Sequence, residues 1–240
     1  MIKTTDDIKK LGTILGIWAH PDDETFTMGG IMAAAAKNGQ QVICVTATKG
    51  EKGVQDESRW PAARMAEIRA NELNACLEIL GVKDHNFLDY HDGECAQANS
   101  EEAISALTGL INQYQPDSIF TFGSDGLTGH PDHCTVSDWA KKAAQKSGSK
   151  AVVYNVVQTT EQHQAMRELN AEFRVFLDAN KLPVLEPGEC AVCFELNDDF
   201  FDQKMAALKA HISQYDALFK LERSLRAPFG TEAFVEASSF

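Results

Sequence analysis

Residues Thr13 to Glu24 read Thr-Ile-Leu-Gly-Ile-Trp-Ala-His-Pro-Asp-Asp-Glu. An apolar run rich in β formers, Thr13 to Ala19, leads straight into an imidazole, a proline and three carboxylates. A short continuous run of this kind predicts a strand buried on both faces. The stretch that follows, Thr25 to Lys37, is rich in Ala and Met and predicts a helix. In open α/β sheets, ligands bind beyond the carboxyl ends of the strands, so the polar turn lies where a site is expected. A dinucleotide-binding turn would carry glycines there to admit a pyrophosphate. Acids packed this closely are costly unless a cation neutralises them. The turn therefore points to a metal rather than a phosphate.

The same alternation continues outward. Gln41 to Thr48, His85 to Tyr90, Ser118 to Phe122, Ala151 to Val157 and Val192 to Leu196 read as strands. Arg59 to Leu80 reads as a long amphipathic helix closed by Gly81. Further helices are predicted over Ser100 to Tyr114, with Ser100 as N-cap, over Pro131 to Lys146, and over most of Phe200 to Leu221. This rhythm predicts a single doubly wound α/β domain over residues 1–240, with a mainly parallel, Rossmann-like sheet and helices on both faces. The segment 159–189 fits the rhythm least and is a candidate lid or oligomer contact.

Composition narrows the partners. The 240 residues carry a formal net charge of −13 with a pI near 4.9 and no basic stripe. Nucleic acid and anionic membrane surfaces are thus poor partners. No window approaches the ~18 apolar residues of a membrane span, and Met1 to Leu11 lacks the apolar core of a signal peptide. Six cysteines, mostly inside apolar runs, read as reduced buried thiols of a cytoplasmic protein. Cys190 and Cys193 are three apart in a strand-like run, which predicts opposite faces rather than a metal or redox pair.

A second polar turn follows the fourth strand: Gly123-Ser124-Asp125-Gly126, then Gly129-His130-Pro131-Asp132-His133. His130 and His133 are three apart at a helix start and share a face if both lie in its first turn. His20, Asp23 and His133 can then give two nitrogens and one oxygen to one ion. Three protein ligands with an open fourth position is the pattern of catalytic zinc. Capping alone explains one Asp and one Pro before a helix, but not two His-Pro-Asp turns at two strand ends.

These paired turns resemble the LmbE/PIG-L family of zinc-dependent N-acetylglucosaminyl deacetylases. Thr48 to Gly53, Arg69-x-x-Glu72 with Leu80-Gly81-Val82, Tyr90 to Gly93, and Lys204-x-x-Ala207-x-x-x-His211-x-Ser213-Gln214 extend the likeness along most of the chain. The segment 159–189 carries no part of it. The resemblance implies a Zn²⁺ enzyme, one ion per chain, that deacetylates a small N-acetylated sugar conjugate, and it implies a homo-oligomer. It implies His20, Asp23 and His133 as metal ligands, Asp22 as general base and His130 as stabiliser of the oxyanion. It places Glu51, Arg69, Asp92 and His211 at the substrate. Read without it, Arg69 and Glu72 are an i, i+3 surface pair, Asp92-Gly93 is turn chemistry, and Trp18 is sheet core.

Other classes fit less well. A metal-dependent phosphoesterase often needs two ions. No G-x-G-x-x-G follows a strand, and the turn around Ser124 lacks the first glycine of a nucleophile elbow. Another amidase on the same fold, or a metal-binding protein without turnover, would use the same three ligands; the latter has no need of Asp22 or His130. A His/His/Asp site also accepts Fe²⁺, Co²⁺ or Ni²⁺.

Overall fold

A short helix α1 (Thr5–Ile8) leads into β1 (Ile14–Trp18), all of whose residues are buried, as a two-faced strand requires. The chain then alternates: α2 (Asp23–Lys37), β2 (Val42–Thr48), α3 (Met65–Leu80), β3 (Asp84–Tyr90), α4 (Ser100–Tyr114), β4 (Ser118–Thr121), α5 (Pro131–Ser147) and β5 (Val152–Thr159). It ends with α6 (Thr160–Phe173), β6 (Val184–Leu185), β7 (Val192–Glu195), α7 (Asp198–Ala210), α8 (Ile212–Tyr215), α9 (Arg226–Phe229) and β8 (Thr231–Glu236). This is a computed structural model, and it describes residues 1–173, 182–221 and 224–237.

The sheet runs β3-β2-β1-β4-β5-β8-β7, with β6 beside β5. Strands β1 to β5 are parallel, and β8 is antiparallel to both β5 and β7. The doubly wound, mainly parallel α/β reading holds. The strand order reverses between β1 and β4. At such a switch point the loops after the two strands diverge and leave a crevice. The two His-Pro-Asp turns follow these two strands.

Several local expectations are corrected. Strand β8 went unread: Glu232, its second residue, makes the run look polar. That carboxylate is buried, accepting from Lys204 Nζ at 2.7 Å and from the amides of Gly30 and Ile31, each at 2.7 Å. Those amides are free because α2 leaves helical geometry at Met28 (φ −140°, ψ 21°). Glu232 thus acts as an internal cap for the second half of α2.

Helix α3 begins at Met65, not Arg59, because Pro61 holds extended backbone ahead of a 3₁₀ turn. Its close at Gly81 (φ 77°) is as expected. The N-cap of α4 is Asn99 rather than Ser100, its side chain accepting from the Glu101 amide. The long C-terminal helix ends at Ala210. His211 breaks it, and the Ser213 amide and hydroxyl go to Glu72 at 2.8 and 2.7 Å. Cys190 lies two residues ahead of β7, outside its alternation, and shares one small buried cluster with Cys193 instead of facing away. Within 159–189, residues 174–181 lie outside the described residues, and the rest forms α6, β6 and a 3₁₀ turn. Among the described residues, no helix is long and apolar enough to cross a membrane.

Candidate metal centre and active site

The turn after β1 carries His20 into the crevice, and α2 starts at once with Asp23. The turn after β4 is closed by Gly126 (φ 71°), where a Cβ would meet Cys134 Sγ at 2.9 Å and His133 Cβ at 3.0 Å. Only glycine fits there, and its carbonyl faces the His133 ring. His133 Nδ1 donates to Gly126 O at 2.9 Å, with Thr128 Oγ1 at 3.1 Å. Phe122 stacks on the ring, centroids 4.1 Å apart and planes 12° from parallel. His133 Nε2 is thereby aimed at His20 and Asp23.

Three side chains converge. His20 Nδ1 lies 3.1 Å from His133 Nε2. Asp23 places Oδ1 at 3.4 Å from His133 Nε2 and Oδ2 at 3.6 Å from His20 Nδ1. Ligands at about 2.0–2.1 Å from a tetrahedral zinc lie about 3.3–3.4 Å from one another. The separations of 3.1 to 3.6 Å lie near that spacing, with Asp23 turning one oxygen to each ring, and the donor set of two imidazoles and a carboxylate suits a divalent metal. The nitrogens of His20, His130 and His133 also lie within 4.8 Å of one another, which leaves His130 at the edge of the same point.

His20 is oriented from behind. His20 Nε2 donates to Asp92 Oδ1 at 3.1 Å and Asp132 Oδ2 at 3.2 Å. Asp132 also accepts from the Gly93 amide at 2.6 Å and the Cys95 amide at 3.1 Å. Asp92 accepts from the Lys52 amide at 2.9 Å. A carboxylate on the far nitrogen fixes the tautomer of a metal-binding His and raises its basicity. Burial disfavours charge on His20, but its hydrogen bonds to Asp132, Asp23 and Asp92 outweigh that and raise its pKa well above the ordinary value. Burial, with His20 and His130 nearby, lowers His133 to about 4, so its Nε2 is free to bind; His20 would have to release a proton on taking up an ion.

Asp22 stands where a helix N-cap belongs, yet its side chain makes no capping bond. Its φ of 107° is unusual for a residue with a Cβ, a conformation that costs of order 1–3 kcal/mol. Its amide donates to Glu24 Oε2 at 3.1 Å, and Arg69 Nη2 meets its Oδ2 at 3.2 Å. Burial pushes its carboxyl up to about 7; Arg69 opposes this and Asp23 adds to it. His130 caps α5 by accepting from the Asp132 amide through Nδ1, at 3.2 Å. A neutral imidazole that accepts at Nδ1 carries its proton on Nε2. Burial, then His20, lowers the pKa of His130, which favours that neutral form.

The four residues expected at the substrate divide. Arg69 and Asp92 line the cavity, but Arg69 holds Gly50 O at 2.9 Å and Pro21 O at 2.5 Å, and Asp92 holds His20. The surface pairing of Arg69 with Glu72 does not form, since Glu72 holds Ser213. Glu51 does not line the cavity; it accepts from the Asp92 amide at 3.0 Å. His211 is wholly buried with Nε2 at 3.5 Å from Glu24, away from the cavity. Trp18 is core against Phe122. The Asp92–His20 contact was not anticipated, and Asp92-Gly93 after β3 was its only signal. The cavity measures about 700 Å³, and Tyr215 and Trp60 also line it.

The sequence profile of PIG-L, described as GlcNAc-PI de-N-acetylase, matches residues 15–144. The chain belongs to the PIG-L family. It is 31% identical to a 1D-myo-inositol 2-acetamido-2-deoxy-alpha-D-glucopyranoside deacetylase of Catenulispora acidiphila, over 84% of this chain and 79% of the relative. The corresponding enzyme of Corynebacterium diphtheriae is 29% identical over 83% and 75%. Among solved structures, this PIG-L chain is similar to N,N'-diacetylchitobiose deacetylase from Pyrococcus horikoshii, at TM-score 0.64 and 24% identity over 95% of this chain and 85% of that one. A 4-carboxy-2-hydroxymuconate hydratase gives TM-score 0.64 at 20% identity over 94% and 95%. Both likenesses speak for the PIG-L fold alone, and the hydratase shows why the site must decide the chemistry.

Proposed function

We propose that this chain is a metal-dependent hydrolase that removes the acetyl group from the nitrogen of an N-acetylglucosamine-type conjugate. The observation that carries the reading is the convergence of His20, Asp23 and His133 beside a carboxylate that caps nothing, Asp22. These three residues would hold the ion, which we take to be Zn²⁺. A metal there supplies Lewis acidity and brings the pKa of a water near neutrality. The named activities of the two relatives above support the choice of amide and sugar.

Asp22 accepts the proton of the attacking water. Its raised pKa suits a base that must also release that proton near pH 7. Arg69 and Glu24 hold its strained backbone and carboxylate in the cavity. His130 donates a hydrogen bond from Nε2–H to the acetamide oxygen as negative charge builds there. One such donor is worth about 3–4 kcal/mol in the transition state. The C–N bond then breaks, the proton held by Asp22 goes to the departing nitrogen, and acetate and a free amine leave. Six free cysteines fit a reducing compartment such as the cytoplasm.

The test is acetate release from N-acetylglucosaminyl-inositol by protein stripped with chelator and then reloaded with zinc. The reading expects no release after stripping and recovery on reloading. Equal release in both states would refute metal dependence.

A further inference from the structure

Glu24 ties the Asp22 turn to the protein interior. Its Oε2 accepts from the amide of Asp22, a residue held at φ 107°, at 3.1 Å. Such a backbone persists only where its surroundings over-determine it. Arg69 supplies one hold, on Pro21 O and Asp22 Oδ2. Glu24 supplies another, so its own carboxylate must be fixed. That carboxylate belongs to a wholly buried residue that does not line the cavity.

The second oxygen of Glu24, Oε1, accepts from Thr25 Oγ1 at 2.7 Å and lies 3.5 Å from His211 Nε2. A buried carboxylate is costly without such partners. His211 is the break between α7 and α8, and Glu72 pins that break through Ser213. The imidazole has no exposed surface, and its contact with Glu24 is long for a hydrogen bond but within ion-pair reach. As mere filling, a buried imidazole is a poor choice, because its nitrogens lose water and an apolar side chain would not. Cys76 Sγ lies 3.6 Å from the same oxygen, so a metal is the rival reading of these three groups. Thr25 Oγ1, at 2.7 Å from Glu24 Oε1 and 2.6 Å from Cys76 Sγ, already bridges two of them with a hydroxyl.

We infer that His211 is a positioning residue for the base: it fixes Glu24, and Glu24 fixes the turn that aims the Asp22 carboxylate. The inference rests on the deacetylase reading above. Its test places His211→Phe in wild type and in Asp22→Asn, and reads kcat, KM and bound zinc with an N-acetylglucosaminyl substrate. A misplacement of about 1 Å costs about 10²-fold, so His211→Phe should lower kcat by about ten- to a hundredfold with KM and zinc content unchanged. In the Asp22→Asn background the same change should lower kcat by less than about twofold, because the group it positions is gone. His211→Gln, which keeps an N–H donor, should recover most of the loss. An equal fold loss in both backgrounds, or zinc lost together with activity, overturns the inference and makes His211 a structural residue. A second equivalent of zinc that disappears in Cys76→Ser also overturns it, in favour of a metal cluster. Should His211→Phe not fold, the ¹⁵N spectrum of the wild-type holoenzyme decides: a proton on His211 Nε2 is expected, and a bare Nε2, unable to donate to Glu24, overturns the inference. No amine release from zinc-loaded wild type removes the deacetylase reading and the inference with it.

Discussion

Replacing Asp132 by Asn tests how His20, a ligand in the proposed function, is held. The Asp132 carboxylate is buried and serves three N–H groups. Oδ2 takes His20 Nε2 and the Gly93 amide, and Oδ1 takes the Cys95 amide. Asparagine offers one oxygen. Its best placement keeps that oxygen on the Gly93 and His20 side and turns its NH₂ against the Cys95 N–H. One buried donor is left without an acceptor, a cost of about 1–3 kcal/mol. For a chain of this size that lowers Tm by about 2–12 °C. The metal effect is separate. Losing a carboxylate partner of a ligating His weakens binding about 10–100-fold. Asp92 still accepts from His20 Nε2 at 3.1 Å, so the single variant should fall near tenfold and Asp132→Asn with Asp92→Asn near a hundredfold. Competition of the stripped protein with a chromophoric chelator for zinc measures both. Binding within twofold of wild type in the double variant would refute the view that these carboxylates prepare His20.

Other substitutions probe other links. Lys204→Met leaves the Glu232 charge buried without its cation, a loss of about 3–5 kcal/mol, so thermal unfolding should begin at least about 6 °C lower; an unchanged Tm would show that the pair does not hold the two halves of α2. Arg69→Gln removes the group that draws the Asp22 pKa down. A base works only when deprotonated, so activity is lost as pH falls through its pKa. That pKa rises without Arg69, and the acid limb of kcat/KM against pH should move to higher pH; a static or downward limb would contradict the assigned base. Asp23→Ala should lose stoichiometric metal by elemental analysis. His130→Ala should keep its metal and lose about 10²–10³ in kcat, whereas metal loss in that variant would make His130 a ligand.

The centre of the sheet was legible because β1, β2 and β4 are buried on both faces and read as continuous apolar runs. The paired turns were legible because several ionisable side chains at two strand ends are too costly for capping to explain. Illegible features depend on partners far along the chain. Glu232 hid β8 because its compensating groups, Lys204 and the amides freed at Met28, come from two other helices. The break at His211 depends on Glu72, well over a hundred residues earlier. The contacts of Asp92 with His20, of Glu51 with the Asp92 amide and of Arg69 with the Asp22 turn were equally hidden, since each joins segments far apart in the sequence.

The central claim is that Asp22 does chemistry beside a metal it does not hold. The most direct measurement is amine release and bound zinc, on the same samples, for wild type and Asp22→Asn with an N-acetylglucosaminyl substrate. The predicted result is one zinc in each protein, with turnover lower in the variant by about 10²–10⁴. Near wild-type turnover in the zinc-loaded variant, or loss of zinc from it, would contradict the account.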